Sequence, residues 1–187
     1  MDSTSGNLSY QSALADYRTY LMPARPFTIA LRGMYYGRYG RGAESSLLTP
    51  VFLGYPELVR GYDYGSFRAD ECGSAADGSC PVFERLLGSR MVVANAELRF
   101  PLWGVFGGDN FYGPLPVELG VFADAGAAWD RSRSLHLTGP DRNLVRSVGA
   151  VVRVNLLGFA IGQIDYSRPL DRPGRGWIWQ FSLRPGY

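Results

Sequence analysis

Lysine is missing from this chain: all 19 of its basic residues are arginine. Set against 17 acidic residues they leave a formal charge of +2, too small to imply nucleic acid or another strongly charged partner. Codon usage in a GC-rich genome accounts for the arginine without functional meaning. Long apolar runs are missing too. No stretch reaches the roughly 18–20 residues of a transmembrane helix, which excludes a helical membrane protein. A β-barrel survives that exclusion, because its strands alternate faces and average to a neutral mean hydropathy, here −0.10.

Catalytic signatures are equally scarce. The one histidine, His136, lies in a polar loop with no nucleophile pattern beside it. There is no Gly-x-Ser-x-Gly elbow, no His-Glu-x-x-His, and no glycine loop set for phosphates between a strand and a helix. The residues therefore assign no catalytic group, cofactor or metal site, and the chain does not read as an enzyme. Cysteine is limited to Cys72 and Cys80, close together in a Gly/Ser/Asp-rich segment. Without a second pair a zinc site is excluded. A local disulfide fits an oxidising compartment; two free thiols fit a reducing one. No signal peptide precedes the first strand-like segment, so the chain reads either as cytosolic or as the tail of a longer exported precursor.

What is present is alternation of period two. Seven segments read as strands: Leu8 to Leu21, Phe27 to Tyr36, Arg90 to Leu102, Val117 to Trp129, Arg146 to Leu156, Phe159 to Arg168, and one starting at Trp177. In the third, Val92, Ala94, Ala96, Leu98 and Phe100 share one face, while Asn95, Glu97 and Arg99 share the other. The pattern repeats with Asp124, Arg153 and Asp165. Most segments run about 10–13 residues, enough for a tilted strand to cross a bilayer, whereas soluble strands average nearer 5–6. Connections alternate short and long: turns near Pro23–Pro26 and Leu157-Gly158, longer stretches at Tyr39–Gly88, Asp130–Asn143 and Arg168–Gly176. The Gly-rich connector Trp103–Pro114 breaks that alternation. Trp103, Trp129, Trp177 and Trp179 stand near segment ends, where an interfacial aromatic belt would lie. A soluble β-sandwich is the competing reading. The predicted fold is an all-β antiparallel transmembrane barrel, in contact with outer-membrane lipid. Seven strands would leave two unpaired edges, untenable in lipid, so further strands or another copy must complete it.

The connection Tyr39–Gly88, about fifty residues, is rich in apolar and aromatic side chains and should pack against something. It carries Val59-Arg60-Gly61-Tyr62. Taken with Phe122-Ala123-Asp124-Ala125-Gly126 downstream, this motif resembles the C-terminal region of the outer-membrane assembly and translocation barrels, the BamA/TamA-like bacterial surface antigens, over nearly the whole chain.

The resemblance implies a sixteen-stranded barrel preceded by POTRA repeats, of which residues 1–187 would supply the last seven strands. It implies that loop 39–88 is extracellular and folds into the lumen, where Arg60 meets Asp124. That pairing is chemically sound, since a buried guanidinium needs a carboxylate and can take one bidentately. Gly61 suits an unusual backbone angle, and Gly126 leaves room for an inserted loop. The last strand, with Trp177, Trp179, Phe181 and Leu183, would form one side of a weakly paired seam, shortened by Pro185. The implied partners are client β-barrel polypeptides or secreted protein, and the N-terminal strands or POTRA repeats of the same precursor. The implied location is the bacterial outer membrane. A passive porin-like or adhesive barrel is the alternative.

Overall fold

A computed structural model of the chain describes residues 8–72, 79–103, 116–139, 142–156 and 158–185. Seven long strands form one antiparallel meander: β1 (Gln11–Ala24), β2 (Phe27–Tyr39), β5 (Arg90–Pro101), β6 (Val117–Trp129), β7 (Leu144–Leu156), β8 (Ala160–Pro169) and β9 (Ile178–Pro185). Within the long connection, β3 (Val51–Phe52) and β4 (Leu87–Gly88) pair with each other, and one helical turn, α1 (Pro81–Glu84), precedes β4. The sheet does not close. Among the described residues, strands β1 and β9 each have one neighbouring strand, leaving an edge free on either side.

Alternation decides which side is covered. On β6, Gly120, Phe122, Asp124 and Gly126 are buried, whereas Val121 and Ala123 between them are exposed. The register carries this face across the sheet: Asn95 lies opposite Asp124, which lies opposite Ser147. The long connection covers this inner face. Its Leu53, Leu58, Val59, Tyr62 and Leu86 pack on Met34, Met91, Val93 and Val145 of the strands in one hydrophobic cluster. The core thus sits between a sheet and its own loop. The outer face keeps Leu31, Leu98, Val121, Ile164 and Phe181 exposed.

The strand limits depart from the sequence reading at several ends. Leu8–Tyr10 are not strand, and β1 runs on through Met22-Pro23 to Ala24, so the turn shrinks to Arg25-Pro26. Proline is tolerated there because β1 is an edge strand whose register already shifts between Leu21 and Ala24. Strand β2 continues to Tyr39 and β7 starts two residues early, at Leu144. Trp177 precedes β9 instead of opening it. At 8 residues β9 is the shortest of the seven long strands, and Pro185 is its last paired residue. Of the connector Trp103–Pro114, residues 104–114 lie outside the described residues.

Candidate functional site

A short turn delivers the motif. The N–H groups of Leu58 and Val59 both donate to Tyr55 O, at 2.8 and 3.1 Å, and this folded turn aims Arg60 at the sheet. Gly61 follows with φ +86°, a left-handed conformation that side chains resist. An added Cβ there would also stand 3.1 Å from Ser167 Oγ and 3.3 Å from Pro169 Cδ.

The strand β6 receives it with three residues spaced by two. Phe122 lies beneath the guanidinium, whose carbon is 3.4 Å from the ring centroid. Asp124 takes the guanidinium as a fork, Nε to Oδ2 at 2.7 Å and Nη2 to Oδ1 at 2.9 Å, and also accepts from the Arg60 backbone N–H at 3.2 Å. Gly126 supplies an empty slot: a Cβ on it would meet Val59 Cγ2 at 2.9 Å and Leu53 Cδ1 at 3.0 Å. The period of a strand is what sets arene, carboxylate and gap in line on one face.

Arg60 is shared more widely than one partner. Its Nη1 donates to Glu97 Oε2 at 2.8 Å and lies 3.5 Å from Asp165 Oδ1. Glu97 in turn accepts from Arg153 Nη2 at 3.0 Å, and Gln163 Nε2 donates to Asp165 Oδ2 at 2.7 Å. Asn95 Nδ2 joins loop to strand, donating to Leu58 O at 2.8 Å and Asp124 Oδ1 at 2.9 Å. Arg60 is 5% exposed and Asp124 3%, so these charges stand almost wholly out of water. Such charges persist only where pairing and hydrogen bonds compensate the loss of hydration.

The rest of the motif is held by other strands and loops. The Gly61 N–H donates to Gln180 Oε1 on β9 at 2.7 Å, and Gln180 Nε2 donates onward to Asp63. Tyr62 is fully buried; its hydroxyl donates to Arg146 O at 2.8 Å and accepts from Asp171 N–H at 3.2 Å. Arg172, in the connection after β8, donates to Gly61 O at 2.7 Å and forks onto Glu71, Nε to Oε2 at 2.7 Å and Nη2 to Oε1 at 2.8 Å. Its guanidinium carbon lies 4.0 Å from the Phe67 ring centroid.

The structure therefore gathers Val59, Arg60, Gly61 and Tyr62 with Phe122, Asp124 and Gly126. Cys72 and Cys80 are joined in a disulfide in the same loop, next to Glu71. Trp179, Phe181 and Leu183 lie apart from this centre, exposed on the outer face of β9, and Trp177 stacks on Tyr166 at 4.6 Å. The residue of the last strand that enters the centre is Gln180, on the opposite face. Sequence reasoning gave it no role; its place between the aromatic residues of the last strand, on the polar face that Asp165 and Ser167 share, was the available signal. Glu71 and Arg172 had no signal, being joined by no common period.

Chemically the centre is a clamp: Arg60 and its carboxylates pair with one another and fix the loop against the strands. A family model described as the Omp85 superfamily domain matches residues 2–186. No curated protein matches the chain.

Proposed function

The chain belongs to the Omp85 superfamily, and from that premise we propose that its sheet is wall of an outer-membrane barrel that helps client strands insert, or polypeptide cross. The superfamily mediates outer-membrane protein insertion or translocation in bacteria. In this reading the inner face lines a lumen, residues 40–86 enter it from the cell exterior, and the outer face meets lipid.

The observation that carries the reading is the edge of β9. Its outward side chains Trp179, Phe181 and Leu183 suit lipid, one of its backbone edges has no neighbour among the described residues, and its inner face is tied to the motif through Gln180. An open strand edge is a template for pairing, and client strands would add to it by β-augmentation. The strand's shortness keeps such pairing weak and reversible. In lipid both free edges of this sheet need partners, which further strands of the same precursor or a client would supply.

The test is reconstitution into liposomes with an unfolded client barrel. Accelerated client folding, lost when the last strand is crosslinked to its neighbour across the seam, is the expected result. Solute leakage without acceleration would instead favour a passive pore plugged by the loop.

A further inference from the structure

Charge is distributed unevenly over the outer face. Among the described residues, the outward positions of all seven long strands carry three charges, Arg90, Arg146 and Arg168, and no carboxylate. All three stand at the ends nearest the long connections: Arg90 opens β5, Arg146 is near the start of β7, and Arg168 is next to last in β8. The opposite ends present Ile29, Phe100, Leu119, Val154 and Leu183. Arg25 is exposed in the turn at the opposite end, beyond the strands; along the strands themselves the cations stand at one end, matched to anionic headgroups in one leaflet.

One of these arginines, Arg146, belongs to a built arrangement with Arg142 of the preceding connection. The carboxylate of Asp171 has no exposed side-chain surface, yet the two arginine side chains it holds stay partly exposed, Arg142 at 40% and Arg146 at 44%, with the Arg142 Nε itself buried. Arg142 Nη2 donates to its Oδ1 at 2.8 Å, Arg146 Nη2 to Oδ1 at 3.1 Å, and the Arg146 backbone N–H to Oδ2 at 2.8 Å. From the inner side, the Tyr62 hydroxyl braces Arg146 O and Asp171 N–H. Arg168 is paired with Val148, which places it diagonally across from Arg146 on the same face, about 7–8 Å away. Its side chain is exposed and makes no hydrogen bond or ion pair among the described residues. Close by, Trp177 and Trp179 pack on Tyr166, with centroids at 4.6 and 4.3 Å. Here only the anion is buried, and its effect is to hold two cations outward with N–H groups to spare.

We propose that Arg142, Arg146 and Arg168 form a site for the phosphate of an anionic membrane-lipid headgroup, with Asp171 as its positioning residue. Three cations against one carboxylate leave a net charge of about +2, the complement of a phosphate monoester. Guanidinium forks take phosphate oxygens two at a time, and the neighbouring indoles suit the interfacial depth at which headgroups lie. The proposal rests on the membrane reading above, and its test separates the two.

The protein is purified from membranes and reinserted into phosphatidylcholine vesicles with or without phosphatidic acid. Flotation, thermal midpoint and lipid retained on native mass spectrometry are read. Phosphatidic acid is expected to raise the midpoint and stay bound. Arg168→Ala should weaken its retention about tenfold, equivalent to one charge-assisted hydrogen bond, without moving the midpoint in phosphatidylcholine. Arg142→Ala combined with Arg168→Ala should abolish retention. Undiminished retention by these variants overturns the site. An equal shift from inorganic phosphate overturns its assignment to a lipid. Protein that floats with the vesicles but ignores phosphatidic acid overturns this proposal and leaves the membrane reading standing; protein that does not float overturns both.

Discussion

The long loop is anchored by two arginines that use opposite kinds of partner. Arg60 leaves the loop and meets carboxylates carried by three different strands, Glu97, Asp124 and Asp165. Arg172 arrives from another connection and meets a carboxylate of the loop itself, Glu71, together with Gly61 O and both oxygens of Ser66. The first arrangement fastens loop to wall; the second fastens one loop to another. Both guanidiniums lie against an aromatic ring and both are nearly inaccessible to water. The difference lies in how position is specified. Hydrogen-bond register places the strand carboxylates, whereas only the folded loop brings Glu71 to Arg172.

The contrast can be broken most forcefully at Arg60. Arg60→Ala should cost about 3–5 kcal/mol in reversible unfolding, because it strands buried carboxylates without a counter-charge. Asp124→Ala should cost a comparable amount, and the double variant clearly less than the sum; additive losses would show that the two do not act as one pair. Arg172→Ala comes next, at about 3 kcal/mol, since it leaves a single buried carboxylate with only the Arg68 N–H at 3.2 Å and Arg175 at 4.0 Å. Limited proteolysis sharpens the distinction: cleavage should then concentrate around residues 64–72, with Arg60 still docked.

Removing the disulfide by Cys72→Ser with Cys80→Ser should cost about 2 kcal/mol, as expected for a closed span of 8 residues. The same loss should appear in wild type on adding reductant. The smallest effect concerns pH. Burial pushes the Asp171 carboxyl up, but Arg146 and Arg142 outweigh it and hold it below the usual range. Its folded value being depressed, its contribution is present above its unfolded value near about 4 and fades as pH falls through the folded one. An Asp171→Asn variant should therefore lack part of the acid-side loss seen in wild type, measured as unfolding midpoint against pH.

Legibility follows the same division. Strand faces were readable because period two is local: the sides assigned to β5, β6, β7 and β8 are those the loop covers or leaves bare. The meeting of Arg60 and Asp124 came from the family resemblance that two motifs carry, and Gly61 and Gly126 from the space such a meeting requires. Glu97 and Asp165 were seen as inner-face charges, but nothing in the sequence says how far a guanidinium reaches across neighbouring strands. Ends were less legible, because proline at Pro23 forbids a ladder bond only where one is required, and an edge strand requires none on one side. On the last strand the conspicuous aromatic face drew notice, while the working contact came from Gln180 behind it.

The direction of the motif's contacts sets an order in time. Glu97, Asp124, Asp165, Arg172 and Gln180 all follow Arg60 and Gly61 in the chain, the last separated from Gly61 by 119 residues. A chain emerging N-terminus first exposes the motif long before any of these residues exists beside it. Contacts of such separation are also slow to form, because the intervening chain must first be closed. Docking of the loop can therefore finish only after the final strand has arrived, so a seated motif reports that the whole sheet behind it has been made.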